Sequence, residues 1–238
     1  MARTAQLGLP LVMPAQAQKH VTVNEALARL DAAAQLRVVS SLVATPPAGA
    51  GDGESYLVPE GASGEWAGRA GQIAVRSNGG WSYLEPRAGW QAWDESQQSR
   101  RLFDGTGWLT DAVVASPDGA GTAWKIIEFD HIIAPGGSNV TAVSIPNQAQ
   151  VLGVTGRVVA ALAGPGLTGW RIGVAGSDNR YGSGLGVALN SHLVGLSGSP
   201  VTYYAPTPLV VTAEGGSFAS GQIRLAMHVT YLIPPRSV

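Results

Sequence analysis

Residues 151–175, VLGVTGRVVAALAGPGLTGWRIGVA, decide the fold class. Two apolar runs, Val151 to Leu162 and Gly169 to Ala175, flank the breaker sequence Gly164-Pro165-Gly166. Because β-branched residues are frequent and a Gly-Pro-Gly turn separates the runs, the stretch favours two strands over a helix. It predicts consecutive strands of a β-rich domain.

The same pattern recurs through the rest of the C-terminal half. The further runs are Trp124 to Ile133, Val140 to Ile145, Val201 to Tyr204, Leu209 to Thr212 and Ile223 to Ile233. Turn sequences such as Pro135-Gly136-Gly137 and Glu214-Gly215-Gly216 separate them. Seven or more short strands at this spacing predict a C-terminal β-sandwich, jelly-roll-like, over residues 123–238.

Composition limits the classes of protein that fit. The chain has 238 residues, 45% of them hydrophobic and 13% charged, so it can bury a sizeable core. Its 32 glycines and 15 prolines favour many tight turns. A net charge of −1 favours neither nucleic acid nor a membrane surface as partner. The absence of cysteine excludes disulfides, and no apolar run reaches the length of a membrane-spanning helix.

Residues 1–44 form an N-terminal arm with the one clear helical pattern. Thr22-Val23-Asn24-Glu25 is a capping-box sequence, which predicts that the helix begins near Thr22. Val23, Leu27, Leu30 and Ala34 then recur on one face. Such a short stripe packs on its own domain or forms a seam with another copy, and the sequence leaves both open.

Residues 45–122 are rich in tryptophan, glycine and acids and predict a small β-meander. Turn sequences at Asn78-Gly79 and Asp104-Gly105 each precede a tryptophan. The tryptophans are Trp66, Trp81, Trp90, Trp93 and Trp108. A domain of this size needs large side chains in its core, so we expect them to be core residues rather than an exposed carbohydrate-binding face.

The most unusual polar stretch, Asp178-Asn179-Arg180-Tyr181, lies in a predicted loop over residues 176–184. Sugar recognition uses planar polar groups for hydroxyls and an aromatic face for the ring, and this stretch has both. It is therefore a candidate glycan-binding site. The alternative is a structural loop in which Arg180 pairs with Asp178 or Glu214.

Tyr203 and Tyr204 are adjacent in a predicted strand, so their side chains must point to opposite faces and at least one should face outward. An exposed tyrosine suits either a bound glycan or a subunit interface. Both tyrosines join the candidate glycan-binding residues.

No catalytic or metal-binding motif is evident. The histidines, at positions 20, 131, 192 and 228, lack the spacing of metal ligands, and Gly-x-Ser-x-Gly is absent. A glycosidase needs two carboxylates about the bond that is cleaved, and Asp178 and Glu214 are the sole acids after residue 150. Nothing in the sequence brings these two together. We expect a non-enzymatic protein without metal or cofactor.

Several motifs resemble a family catalogued as a domain of unknown function in alphaproteobacterial prophages and gene transfer agents. In the N-terminal half they are Leu9-Pro10, Gln16-Ala17-Gln18-Lys19-His20, Asn24-Glu25-Ala26-Leu27, Leu30-Asp31, Pro46-Pro47, Gly64-Glu65-Trp66-Ala67-Gly68, Trp81, Pro86 and Gly89-Trp90. In the C-terminal half, similar to longer members, they are Gly153-Val154-Thr155-Gly156-Arg157, residues 178–186, Tyr203-Tyr204-Ala205 and Ala213-Glu214-Gly215-Gly216. The Gln-x-Gln-Lys-His motif is the most specific of them.

The resemblance implies a tail-fibre-like or spike-like virion protein, assembled in the bacterial cytoplasm and carried on a phage-like particle. Such fibres are usually trimers that attach by their N-termini. Residues 1–44 are then the attachment segment, with Gln16, Gln18, Lys19 and His20 as contacts to other virion proteins. Residues 123–238 become a receptor-binding domain for host surface polysaccharide. A virion adaptor without glycan binding is the alternative, and a polysaccharide-degrading enzyme is the third hypothesis.

Overall fold

The computed structural model describes residues 2–12 and 19–237, with only the backbone at Lys19 and His20. The chain folds as two compact units. Unit 1 comprises Met1–Gly121 together with Ile233–Val238, and unit 2 comprises Thr122–Leu232. Gln16 and Gln18, predicted as attachment residues, lie outside the described residues.

Unit 1 contains one helix and two small sheets in its described part. Its elements are α1 (Lys19–Ala33), β1 (Arg37–Val38), β2 (Ser55–Leu57), a 3₁₀ turn (Gly64–Trp66), β3 (Ile73–Ser77), β4 (Gly80–Leu84), β5 (Gln91–Asp94), β6 (Ser99–Phe103), β7 (Trp108–Thr110) and β8 (Ala112–Ala115). Strands β2-β3-β4 form an antiparallel sheet, and β1-β5-β6-β7 form a second sheet in which β1 runs parallel to β5.

Helix α1 differs from its prediction at its start and in its buried face. It begins at Lys19, so Thr22 lies inside the first turns and is no N-cap. Val23 and Leu30 of the predicted stripe are exposed, whereas Asp31 and Ala32 are buried. The face that packs inward was missed because it is centred on a carboxylate, which a search for apolar periodicity passes over.

The three-stranded sheet of unit 1 is apolar on both faces. One face packs Leu57, Ile73 and Val75 with the helix end, and the other packs Tyr56 and Ala74 beneath Trp66. Such two-sided burial explains why these strands show little polar alternation. The tight turn predicted at Asn78-Gly79 joins β3 to β4, with positive φ at both residues as a two-residue hairpin loop requires.

A buried carboxylate organises the second sheet of unit 1. Asp94 has no exposed surface and accepts hydrogen bonds from Ser41, Ser96 and the Arg101 guanidinium, whose Nη2 lies 2.9 Å from Oδ2. Burial alone would raise the pKa of Asp94, but the hydrogen bonds from Ser41 and Ser96 and the charge of Arg101 lower it overall. Asp94 therefore stays ionised inside the unit.

The chain returns to unit 1 after unit 2. The Arg236 amide donates to the Asp118 carbonyl at 2.9 Å, and its guanidinium pairs with the buried Asp104 side chain. The Arg236 side chain also lies against Gly119, where a Cβ would meet its Cγ at 3.0 Å. These contacts fasten residues 233–237 to the last loops of residues 1–121.

Unit 2 is built from eight long strands, described throughout. They are β9 (Gly121–Ile132), β10 (Ser138–Ile145), β11 (Ala149–Ala163), β12 (Gly169–Val174), β13 (Ser177–Leu185), β14 (His192–Tyr203), β15 (Thr207–Glu214) and β16 (Ser220–Ile233). Strands β14-β11-β16-β9 lie side by side in one sheet, and β10-β15-β12-β13 form the other. With the eight strands numbered in chain order, this is the order 6-3-8-1 beside 2-7-4-5, the strand order of a jelly roll.

The core of unit 2 lies between these two sheets. Val151, Val154 and Val158 of β11 face Trp170 and Ile172 of β12, and all five side chains are buried. The prediction of a mostly β chain with a short N-terminal helix and a C-terminal jelly-roll-like sandwich is confirmed.

Candidate functional site

The polar stretch predicted as a loop is strand β13, at the edge of the second sheet of unit 2. Val174 pairs with Ser177, so only Ala175 and Gly176 make the turn, and Gly176 has the positive φ that this turn needs. The residues that follow therefore pair with β12 instead of forming an open loop. The loop prediction for residues 176–184 is wrong.

Arg171 of β12 holds the two acids that the sequence could not place together. Its Nη2 lies 2.8 Å from Asp178 Oδ2, and its Nη1 lies 4.0 Å from Glu214 Oε1. Glu214 Oε2 also accepts the Gly184 amide at 2.9 Å. β12 runs between β13 and β15, which explains why its arginine reaches an acid on each side. The partner of Asp178 is Arg171, not Arg180, which is exposed.

This cluster is unsuited to glycoside hydrolysis. The hydrogen bond from Arg171 lowers the pKa of Asp178, so the carboxyl stays ionised. A glycosidase needs one acid whose pKa is raised enough to protonate the leaving group. The guanidinium has the opposite effect on Asp178, and the arrangement is that of a structural ion pair between strands.

Two of the six candidate glycan-binding residues are core residues. Tyr181 and Tyr203 are buried, and their hydroxyls are hydrogen-bonded to each other at 2.8 Å. Burial raises the pKa of Tyr181, and the neighbouring Tyr203 raises it further, so the Tyr181 hydroxyl stays neutral. Neither ring has a free face on which a sugar could stack. Both must be removed from the candidate glycan site, because strand alternation points them into the sandwich.

The remaining candidates lie at the surface. Asn179 and Arg180 are exposed on β13, and Tyr204 is 82% exposed directly after β14. The prediction that one of the adjacent tyrosines faces outward is confirmed, with Tyr203 inside and Tyr204 outside. The candidates that stay exposed are thus an amide, a guanidinium and one phenol ring.

The tryptophans of unit 1 are mostly packed. Trp66 is fully buried, with its ring centroid 5.0 Å from that of Trp81 and 5.4 Å from that of Tyr56. The Arg76 guanidinium lies 5.3 Å from the Trp81 ring centre and covers its outer side. Among the described tryptophans of this unit, Trp93 differs in that its ring is exposed to solvent. These rings therefore form core rather than a carbohydrate-binding face.

Asp31 binds the N-terminal arm to helix α1. Its carboxylate accepts the Thr4 hydroxyl at 2.7 Å and the amides of Gln6 and Leu7 at 2.9 and 2.7 Å. Burial raises the pKa of Asp31, but these hydrogen bonds outweigh it and lower the pKa overall. Asn24 adds two bonds to the Val12 backbone. Residues 2–12 are thus folded against the helix rather than extended.

A cavity of about 660 Å³ lies in unit 1 between the arm, α1 and the β3–β4 hairpin. Its volume suits a small ligand. Part of its polar lining is engaged within the unit, since Asp31 and Asn24 bind the arm and Arg76 lies over the Trp81 ring. The cavity contains no cluster with evident chemistry.

Across residues 2–12 and 19–237, no three histidines or acids lie close enough together to bind a metal ion. Within the same ranges, no helix has the length and apolar character needed to span a membrane. The backbone of the predicted attachment residues Lys19 and His20 lies in the first turn of α1.

Comparison with known proteins gives one family match and weak structural likenesses. Residues 23–109 match the model of a family described as a protein of unknown function (DUF2793). No curated protein matches the chain. A chain from the cyanophage Pam1 capsid asymmetric unit is 26% identical with a TM-score of 0.33, over 48% of this chain and 85% of that one.

A chain from the acidic stable capsid structure of Helicobacter pylori bacteriophage KHP30 is 16% identical with a TM-score of 0.33, over 48% of this chain and 96% of that one. At that TM-score neither likeness carries an argument about this chain. The family match lies within unit 1, and the jelly roll of unit 2 is outside it.

Proposed function

We propose that this chain is a fibre or spike subunit of a phage-like particle, a gene transfer agent or prophage of an alphaproteobacterium. In this proposal residues 1–44 attach the subunit to the particle, and the jelly roll contacts host cell-surface polysaccharide. The subunit is assembled in the bacterial cytoplasm and has no enzymatic activity. The motif resemblance and the family match over residues 23–109 support the phage association.

The jelly-roll strand order is the observation that carries the proposal. This architecture recurs in viral capsid domains and in lectins, so it suits both a virion part and a glycan-binding part. Fold alone does not fix function, and the site chemistry adds to the case. Arg171 pairs with the acids of unit 2 that lie near β13. This pairing favours a binding role for the unit over a catalytic one.

Glycan contact in this proposal uses Asn179, Arg180 and Tyr204. A single shallow surface of this kind binds a sugar weakly, and repeated copies on one particle supply affinity by avidity. Burial of Tyr181 and Tyr203 favours the second candidate, an adaptor that joins virion proteins and binds no glycan.

Binding of the purified full-length protein to capsular polysaccharide and lipopolysaccharide from alphaproteobacterial strains separates the two. We expect saturable binding that falls at least tenfold in Arg180→Ala and in Tyr204→Ala. Arg100→Ala, which removes an exposed arginine of β6 in unit 1, is the matched control and should bind as the wild type. Equal binding by all three variants would reject the proposed site, and absence of binding would favour the adaptor.

Attachment is tested separately with alanine at the four predicted contacts, Gln16, Gln18, Lys19 and His20. This variant keeps residues 2–12 and their bonds to Asp31, which a deletion of residues 1–20 would remove. We expect a folded protein that is missing from purified particles. Incorporation at wild-type level would reject the assignment of these residues.

A further inference from the structure

The outer face of one sheet of unit 2 exposes large apolar side chains in two rows. Trp124 and Ile126 of β9 are 61% and 62% exposed, and Val194 and Leu196 of β14 are 66% and 76% exposed. Their neighbours along the strands, Leu193 of β14 and Ile127 of β9, pack into the core. Strand alternation places each pair on the outer face, so these rows are a built feature of the sheet.

The other sheet of unit 2 differs in this respect. On its four strands, all of them described, Val140 of β10 is the one large apolar side chain that is exposed. The four side chains of the first sheet leave on the order of 500 Å² of apolar surface in water, at the upper end of what a monomer exposes. The apolar surface is therefore concentrated on one face.

Small side chains form a trough between the two rows. In the strand register Val194 lies opposite Thr155, and Thr155 lies opposite Ala226 of β16. Leu196 lies opposite Gly153 in the next row. A shallow cavity of about 370 Å³ opens here, with Thr155 and Ala226 in its lining. The face thus has apolar ridges at β14 and β9 and a groove along β11 and β16.

The charges on this face are unbalanced across the sheet. Arg157 of β11 lies between His192 and Arg224 in the register, so three basic side chains stand in one row. Arg224 forms a bidentate salt bridge with Asp130 at 2.7 and 2.9 Å. Like charges on neighbouring strands are unfavourable, and a further acid would relieve them.

Arg157 has no ion-pair partner among the described residues and donates to the Asn190 carbonyl. Glu128 of β9, two residues before Asp130, is exposed and forms no close salt bridge within the described ranges, although its charge acts on Arg224 from a distance. The face therefore carries one base without an ion pair on its β11 side and one acid without a close salt bridge on its β9 side. A second copy, turned about a two-fold axis, matches an acid to a base twice.

We infer that this face, defined by Trp124, Ile126, Val194 and Leu196, is a contact between copies of this chain, in which Arg157 of one copy pairs with Glu128 of the other. The ridges of each copy enter the trough of its partner. Stable interfaces bury about 800 Å² per partner, which the apolar rows, trough and charged row together can supply. The inference does not depend on particle attachment or on glycan binding.

A second copy fits this face better than the other occupants. A glycan needs planar hydrogen-bonding groups beside an aromatic ring, whereas three of the four large side chains are aliphatic. An anionic surface would be attracted to basic side chains without acids, but Glu128 and Asp130 stand on the same face.

The test is sedimentation equilibrium of the full-length protein between 1 and 100 μM. We expect the wild type to self-associate. The dissociation constant of Leu196→Glu should be roughly a hundredfold higher, because the substitution places a desolvated charge in an apolar contact. Val140→Glu, which adds the same charge to an exposed apolar position of the other sheet, is the control and should associate as the wild type. Both positions are exposed, so circular dichroism should show native folding.

Charge reversal tests the pairing itself. Arg157→Glu and Glu128→Arg should each weaken association at least tenfold, and the double variant should restore it, because each pair is then present with reversed sign. A wild type that is monomeric at 100 μM would overturn the inference. So would association that Leu196→Glu leaves unchanged, or that Val140→Glu weakens equally.

Discussion

Tyr181 and Tyr203 offer the sharpest test of the reasoning that removed them from the candidate glycan site. Phe at either position retains the ring and leaves the other hydroxyl buried without its 2.8 Å partner. A neutral hydrogen bond contributes about 1 kcal/mol net, and an orphaned buried hydroxyl costs about 1–3 kcal/mol. We expect each single variant to lower the free energy of unfolding of unit 2 by about 1.5–2 kcal/mol.

The double variant should lose less than about 1 kcal/mol, because replacing both partners leaves no orphaned group. The coupling energy of the cycle is then at least about 2 kcal/mol. Urea unfolding of the four proteins, with hydrogen-exchange mass spectrometry of peptides from residues 177–204, reports this unit separately. Additive losses would refute the hydroxyl pairing. Loss of polysaccharide binding in a folded Tyr181→Phe protein would refute the exclusion of this ring from the site.

Three further predictions concern the buried polar groups and one close backbone contact. Arg101→Met leaves Asp94 ionised and buried without its cation, and should cost unit 1 about 3–5 kcal/mol in urea unfolding. Because the pKa values of Asp94 and Asp31 are lowered by folding, their contribution is complete above the unfolded carboxyl pKa of about 4. This contribution to stability is lost as the pH falls through the pKa values of the two carboxyls in the folded protein. A melting temperature of unit 1 that is unchanged between pH 5 and pH 2 would contradict this. Gly173→Ala places a Cβ 1.9 Å from the Ser177 carbonyl and should destabilise unit 2 by more than about 3 kcal/mol, whereas Gly198→Ala, with open space around it, should be nearly neutral by thermal unfolding.

The sequence predicts the architecture of unit 2 well because strand alternation and turn residues carry it. Val151, Val154 and Val158 of the quoted stretch are core residues of β11, and the turn around Pro165 separates β11 from β12 as expected. Tryptophan burial at Trp66 also follows from the size of the small unit.

The misses have physical causes. α1 packs through Asp31, and no apolar pattern reports a carboxylate that binds a backbone hairpin 24 to 27 residues away. The meeting of Asp178 and Glu214 at Arg171 depends on which strands are neighbours, which spacing along the chain cannot give. The outer rows at Trp124 and Val194 left a signal in the sequence. In these strands apolar residues occupy outward positions as well as core-facing ones, which is more than the core alone requires.

The return of residues 233–237 to unit 1 has a consequence for how such subunits diversify. The jelly roll is an insert with both of its ends fastened in one host unit, and Arg236 closes the second end on Asp104 and Asp118. A single genetic crossover upstream would deliver a foreign jelly roll together with a foreign closing segment. Exchange of the jelly-roll unit as a cassette therefore requires two crossovers, one near Gly121 and one near Ile233, with Arg236 retained by the recipient.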